Sequence, residues 1–134
     1  VDVIIKGRGI ARGSATGALL ISDAPLSFLS GVDAESGVII EEGHPLKGES
    51  IAGRVFAFPY GKGSTVGSYV IYALARNGKA PAAIINREAE PIIATGAIIA
   101  KIPMIDRLEA PLPALKAGTE VTVDADAGTV SWQE

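Results

Sequence analysis

Short apolar runs rich in valine and isoleucine recur along the chain and are separated by glycine turns. VDVIIKG (1–7), TGALLIS (16–22), SGVIIEEG (36–43), GRVFAFP (53–59) and APAAIIN (80–86) each read as a strand. Apolar residues fill both alternating sets in several of these runs, as strands buried on both faces require. IIATGAIIAKIPMID (92–106) offers one or two more strands, although its IIATGAIIA portion could hide a short helix. TEVTVDADAGTVSW (119–132) reads as a C-terminal hairpin turning at Asp124–Gly128. APLSFLSG (24–31) suits a short helical turn. One segment carries a clear helical period: Val66, Val70, Ala73 and Leu74 fall on one face. Ser64 is its natural N-cap and Asn77-Gly78 its stop. The pattern predicts one mainly β domain over 1–134, with one or two helices packed on it.

Composition narrows the class. With 134 residues, 48% hydrophobic and 20% charged, the chain is long and apolar enough to bury a core. A net charge of −3 gives no electrostatic reason to bind nucleic acid or an anionic membrane. No apolar run is long enough for a helical span, and no charged segment precedes an apolar one at the N-terminus. A cytoplasmic protein is expected, and the start at Val1 fits removal of preceding residues. There is no cysteine, which excludes disulfides, thiolate catalysis and any cysteine-ligated metal within this chain. His44, the single histidine, lies in EEGHPLKG and is expected to be an exposed loop residue.

The candidate chemistry lies in FPYGKGSTVGSYVIYALARNG, from Phe58 to Gly78. A strand end, a glycine turn and a helix start put glycines, Lys62 and Ser64 at one helix N-terminus, where free N–H groups favour an anion. The plainest explanation is an ordinary strand–turn–helix connection. A nucleotide-binding P-loop fails, because Gly63 separates Lys62 from Ser64 and the earlier glycine is missing. A nucleophile elbow fails too, because Gly67 comes one position late and no histidine is placed as base. A serine acting as base needs its oxyanion stabilised by helix N–H groups and a cation, with Lys62 and Arg54 as candidates.

GKGSTVGSYVIYALARNGKAPAAIINREAEPIIATGAIIAKIPMID resembles the small subunit of the aconitase X family. So do GRGIARGSATGALLISDAPLSFLSGVD and GVIIEEGHPLKGESIAGRVFAFP, and the resemblance covers nearly the whole chain. It implies a β/β/α swivelling domain like that of aconitase, with a closed or partly closed barrel-like core and helices packed outside. It implies a hydro-lyase whose large subunit, the expected partner, carries an iron–sulfur cluster of the 4Fe–4S type. No metal is expected on this chain. Ser64 is then the catalytic base, while Lys62, Gly63 and Thr65 bind substrate. The stand-alone form with GKGSTVGSYVIY is most similar to the archaeal branch, which removes water from (R)-5-phosphomevalonate, a phosphorylated hydroxy acid, on the route to isoprenoids. The bacterial branch dehydrates cis-3-hydroxy-L-proline. A swivel-fold binding module without catalysis is the remaining alternative. Arg87, Glu88 and Glu90 form a charged loop expected at a subunit interface. A more distant similarity links AIINREAEPIIATGAIIAKIPMI and GTEVTVDADAGTVSW to the phosphohistidine domain of phosphoenolpyruvate-utilising enzymes. No histidine stands near Thr95–Gly96, so a phosphocarrier is not expected.

Overall fold

The structure, a computed structural model, describes residues 2–62, 66–110 and 118–133. In chain order the elements are β1 (Asp2–Lys6), β2 (Arg8–Ala11), β3 (Ser14–Ile21), α1 (Phe28–Gly31), β4 (Val55–Phe58), α2 (Gly67–Arg76), β5 (Ala83–Asn86), α3 (Pro91–Ala100), β6 (Met104–Asp106), β7 (Glu120–Asp124) and β8 (Thr129–Gln133).

The strands hydrogen-bond in the order β1-β8-β7-β3-β4-β5-β6-β2. Contacts among β3, β4, β5 and β6 are parallel, and all the others are antiparallel. The chain passes from one sheet to the other within β3 and again between β1 and β2. Ser14–Ala18 of β3 pairs with β7, whereas Leu19–Ile21 pairs with β4. Across Gly7, the chain goes from β1 beside β8 to β2 beside β6. A Cβ at Gly7 would lie 2.7 Å from the Asp106 carbonyl oxygen, so only glycine lets the chain cross there. The result is two sheets joined by corner strands, a partly closed barrel.

Two apolar compartments follow from the alternation of side chains along the shared parallel strands. Val55, Ala57, Ala83, Ile85 and Ile105 face the barrel interior, where they meet Val121, Val123, Val130 and Trp132. Phe56, Phe58, Ile84 and Met104 face the other way, against Ile71 and Leu74 of α2 and Ile93 and Ala97 of α3. The sheet is therefore a shared wall between barrel and helices, which is why its strands read as unbroken apolar runs. The expected β/β/α architecture is the observed one.

The helices α2 and α3 are the crossovers β4-α2-β5 and β5-α3-β6. Asn77 and Gly78 end α2 as expected: Gly78 has φ +70, its N–H donates to the Ala75 carbonyl, and the Lys79 N–H donates to Leu74. Pro91 begins α3, and the Glu90 carboxylate caps it by accepting from the N–H groups of Ile92 (3.0 Å) and Ile93 (2.6 Å). The ambiguous apolar segment thus resolves into a helix and then the short strand β6. A Cβ on Gly96 would lie 3.3 Å from Ser68 Cα, which measures how closely the two helices approach.

Two expectations need correction. Residues 36–43 do not form a strand but make only isolated bridges, Val32 with Ile39 and Val38 with Ser50. Left-handed glycines at 37, 43 and 48 turn the chain too often for a ladder to extend. His44 is buried, not exposed, at 6% accessibility. Its loop folds back on itself, with Lys47 N–H donating to the His44 carbonyl and Leu46 N–H donating to Nδ1 at 3.1 Å. Among the described residues, no helix is long and apolar enough to cross a membrane.

A candidate active site at the carboxyl edge of the parallel strands

Because β3 to β6 run parallel, their carboxyl ends at Ile21, Phe58, Asn86 and Asp106 share one edge. Ligand sites of parallel sheets lie at this edge, where the loops diverge. The glycine turn leaves from β4 here. Gly61 forms a parallel bridge with Leu26, and the Lys62 N–H donates to the Leu26 carbonyl at 3.0 Å. This stretch prolongs the β3–β4 pairing past the regular strands and carries the turn over the start of α3. A Cβ on Gly61 would lie 2.2 Å from Ile93 Cγ1 and 3.0 Å from Glu90 Oε1. The first glycine of the motif is therefore required by packing against α3.

Gly63, Ser64 and Thr65, on which the catalytic and substrate-binding expectations chiefly fall, lie outside the described residues. The structure does show what flanks them. On one side α2 is assigned from Gly67 with Val66 at its N-cap position, which corrects the expected cap at Ser64. On the other, Lys62 Nζ is 3.2 Å from Glu41 Oε2. Glu41 Oε1 accepts the Ser27 N–H at 2.9 Å, so one mostly buried carboxylate ties the loop after β3 to the lysine of the glycine turn. Sequence reading missed Glu41, whose partners are distant along the chain. The first of two acids at the end of an apolar run, SGVIIEE, was its only signal.

Arg54 does not join this group. It precedes β4, and its guanidinium donates to the Leu19 carbonyl at 3.2 Å. The four residues of β4, about 13 Å of extended chain, separate it from the carboxyl edge. His44 lies closer in the fold, since its N–H donates to the Glu41 carbonyl, and its buried Nε2 has no hydrogen-bond partner among the described residues.

Beyond β5 and β6 the edge carries an ionic cluster. The Asp106 side chain, wholly buried, accepts from Arg8 Nε (2.9 Å), Arg8 Nη2 (2.8 Å) and the Ala89 N–H (2.7 Å). Burial pushes the Asp106 carboxyl up, but these hydrogen bonds and the nearby Arg8 and Arg107 charges outweigh it and hold its pKa below the ordinary value. Glu88 pairs with Arg107 through bonds of 2.6 to 3.1 Å, and the hydrogen bonds from Arg107 lower its pKa. Arg107 has φ +50, the left-handed region that a non-glycine residue rarely occupies. Of the charged loop singled out in the sequence, Glu88 thus belongs to this cluster and Glu90 is the cap of α3. Arg87 is exposed and has no side-chain hydrogen bond or ion pair among the described residues.

Among the described residues no three His, Cys, Asp or Glu side chains converge as a metal site. With no cysteine anywhere in the sequence, this chain does not fit an iron–sulfur cluster.

The family model of the aconitase X swivel domain matches residues 4–132. The chain is 58% identical over 127 residues to a phosphomevalonate dehydratase small subunit of Methanocella arvoryzae, across 94% of this chain and 96% of that one. It is 57% identical over 130 residues to the phosphomevalonate dehydratase small subunit of Thermococcus onnurineus, across 97% and 98%. Among solved structures it is similar to a holo-form crystal structure of Thermococcus kodakaraensis aconitase X. The TM-score is 0.93 at 54% identity, over 98% of this chain and 99% of that one.

Proposed function

Because the chain belongs to the aconitase X swivel family, we propose that it is the small subunit of a hydro-lyase that converts (R)-5-phosphomevalonate to trans-anhydromevalonate 5-phosphate and water. One observation carries the reading: over nearly its whole length the chain is more than half identical to relatives named as that small subunit. The same relatives favour this substrate over cis-3-hydroxy-L-proline. Retention of the whole glycine-serine turn argues against a binding module that has lost its chemistry.

The name of those relatives points to a larger partner subunit. Since no thiolate exists here, an iron–sulfur cluster in the enzyme belongs on that partner, and no step of this chain runs through it. The share of this chain is to present a base and to bind an anion. Ser64 takes the proton from the carbon next to the substrate carboxylate, and the hydroxyl on the neighbouring carbon leaves as water. A serine hydroxyl is too weak an acid to ionise unaided near neutral pH. Main-chain N–H groups around Gly63 and Thr65, the amino end of α2 and the Lys62 ammonium favour its oxyanion and the substrate's own negative charge. The Glu41 carboxylate holds Lys62 beside the turn.

The test is to assemble the chain with its large partner and assay water loss from (R)-5-phosphomevalonate and from cis-3-hydroxy-L-proline in parallel. Turnover of the first and not the second is expected. The reverse preference would replace the proposed substrate, and turnover of neither would return the chain to the binding-module reading.

A further inference from the structure

On the barrel side of the same carboxyl edge lies a cleft of about 510 Å³. Ile21, Ala57, Ile85 and Leu108 give it apolar walls, and Asp23, Asn86, Arg87 and Arg107 give it polar ones. Pro59, two residues before Gly61, lies on its rim, so cleft and turn are neighbours along a single loop.

The chemistry of the lining is specific. The guanidinium of Arg87 is a fixed positive charge without a counter-ion among the described residues. Arg107 stands beside it in a left-handed backbone conformation, braced by Glu88, and its N–H donates to the Arg87 carbonyl at 3.1 Å. Non-glycine residues held in this region cluster at ligand sites, where surrounding contacts offset the strain. Asn86 is buried at 1% accessibility. Its amide nitrogen donates to the Phe58 and Ile85 carbonyls, which leaves Oδ1 as an acceptor without a donor among the described residues. The Asp23 carboxylate adds a second acceptor. A free guanidinium, two acceptors and aliphatic walls suit a short aliphatic chain that ends in an anion and carries a hydroxyl. Guanidinium groups bind phosphate in a two-pronged way that a water-filled surface does not match.

We propose that this cleft is the subsite for the phosphate-bearing end of the substrate, with Arg87 as the residue that contacts the phosphate. The assignment rests on the dehydratase reading above and adds to it where the non-reacting end of the substrate lies. The reacting end of the substrate then extends out of the cleft past Pro59.

The experiment uses the assembled two-subunit enzyme, with Arg87→Gln and Arg87→Lys beside the parent. Inorganic phosphate and acetate serve as probes, by competition in the assay and by shifts of the Asn86, Arg87 and Arg107 amide signals. In the parent, phosphate is expected to compete with substrate and to shift those signals, while acetate does neither. In Arg87→Gln both KM for the phosphorylated substrate and the inhibition constant of phosphate should rise by about tenfold or more, as loss of a charge-assisted hydrogen bond implies. Arg87→Lys should recover part of both, since a point charge replaces a fork. Equal phosphate binding by parent and Arg87→Gln overturns the proposal. So does competition by acetate alone, which makes the cleft a carboxylate site. Loss of phosphate binding on assembly, together with weaker assembly of Arg87→Gln, overturns it in favour of a contact with the large subunit. Arg87-dependent phosphate binding in an enzyme inactive on phosphomevalonate would leave the anion site standing and bring down only the substrate reading.

Discussion

Ser64 carries the proposed chemistry, and the cap of α2 is not its job, because Val66 holds the N-cap position. Loss of a general base lowers turnover about a hundredfold to ten-thousandfold, and a residue that does not cap the helix contributes little to its stability. Ser64→Ala is therefore expected to assemble with the large subunit, to melt within a few degrees of the parent and to turn over at a small fraction of its rate. Ser64→Asp displaces the base, so near-normal turnover in that variant would remove Ser64 from the mechanism. At this scale the sequence was informative in a divided way. Local chemistry eliminated the P-loop and the nucleophile elbow, but it left the serine's role open, and the resemblance supplied it. Glu41 and the burial of His44 were out of reach, because both depend on loops that meet only after folding. Arg54 was a candidate cation by type alone, and its place ahead of β4 sets it apart.

The elements show why the turn holds its course. Gly61 passes over α3 at a distance no side chain permits, with Ile93 as the obstacle. Gly61→Ala should cost about 1–3 kcal/mol through overpacking and should also lower turnover by moving the adjacent catalytic turn. Ile93→Ala opens that space at its own cost, so the double variant should be less destabilised than the sum of the singles by about 1 kcal/mol or more. Additive effects, measured by urea unfolding, would show that the two residues are not in conflict. The Asp106 cluster, which joins β2, β6 and the loop before α3, gives this region an acid limit. The folded carboxyl has a pKa below its unfolded value, so the unfolded chain binds more protons wherever the two differ. The stabilisation is then fully present above about pH 4 and is lost as pH falls through the lower, folded value. Unfolding free energies measured from pH 6 down to pH 2 should fall more steeply in the parent than in Asp106→Asn, and equal slopes would count against this account. The strands β4 and β5 were legible in advance, and so was the existence of α2, but its packed face is Gly67, Ile71 and Leu74 rather than the face through Val66, which is exposed. The run around Ile39 was not legible, since glycine placement overrode its β-forming residues, and α3 was ambiguous because its apolar residues go nearly all the way round.

On the scale of the molecule, two apolar compartments back to back make the chain a folding unit without its partner, while the proposed chemistry needs both subunits. The purified chain should unfold cooperatively and show no dehydration of phosphomevalonate until the large subunit is added; turnover by the chain alone would contradict the division of labour proposed here. The corner strands have one more consequence. Leu19–Ile21 of β3 and Arg8–Ala11 of β2 bound one sheet, while β1 and the first half of β3 bound the other. Each border lasts five residues or fewer before its strand enters the opposite sheet. Even the border at Leu19 is capped, since its N–H donates to the Thr119 carbonyl and its carbonyl accepts from Gly118. Borders this short make poor templates for a visiting strand. The proposed large subunit is therefore expected to dock on loops and side-chain faces rather than to extend a sheet, so that no shared backbone ladder would resist a pivot of this domain.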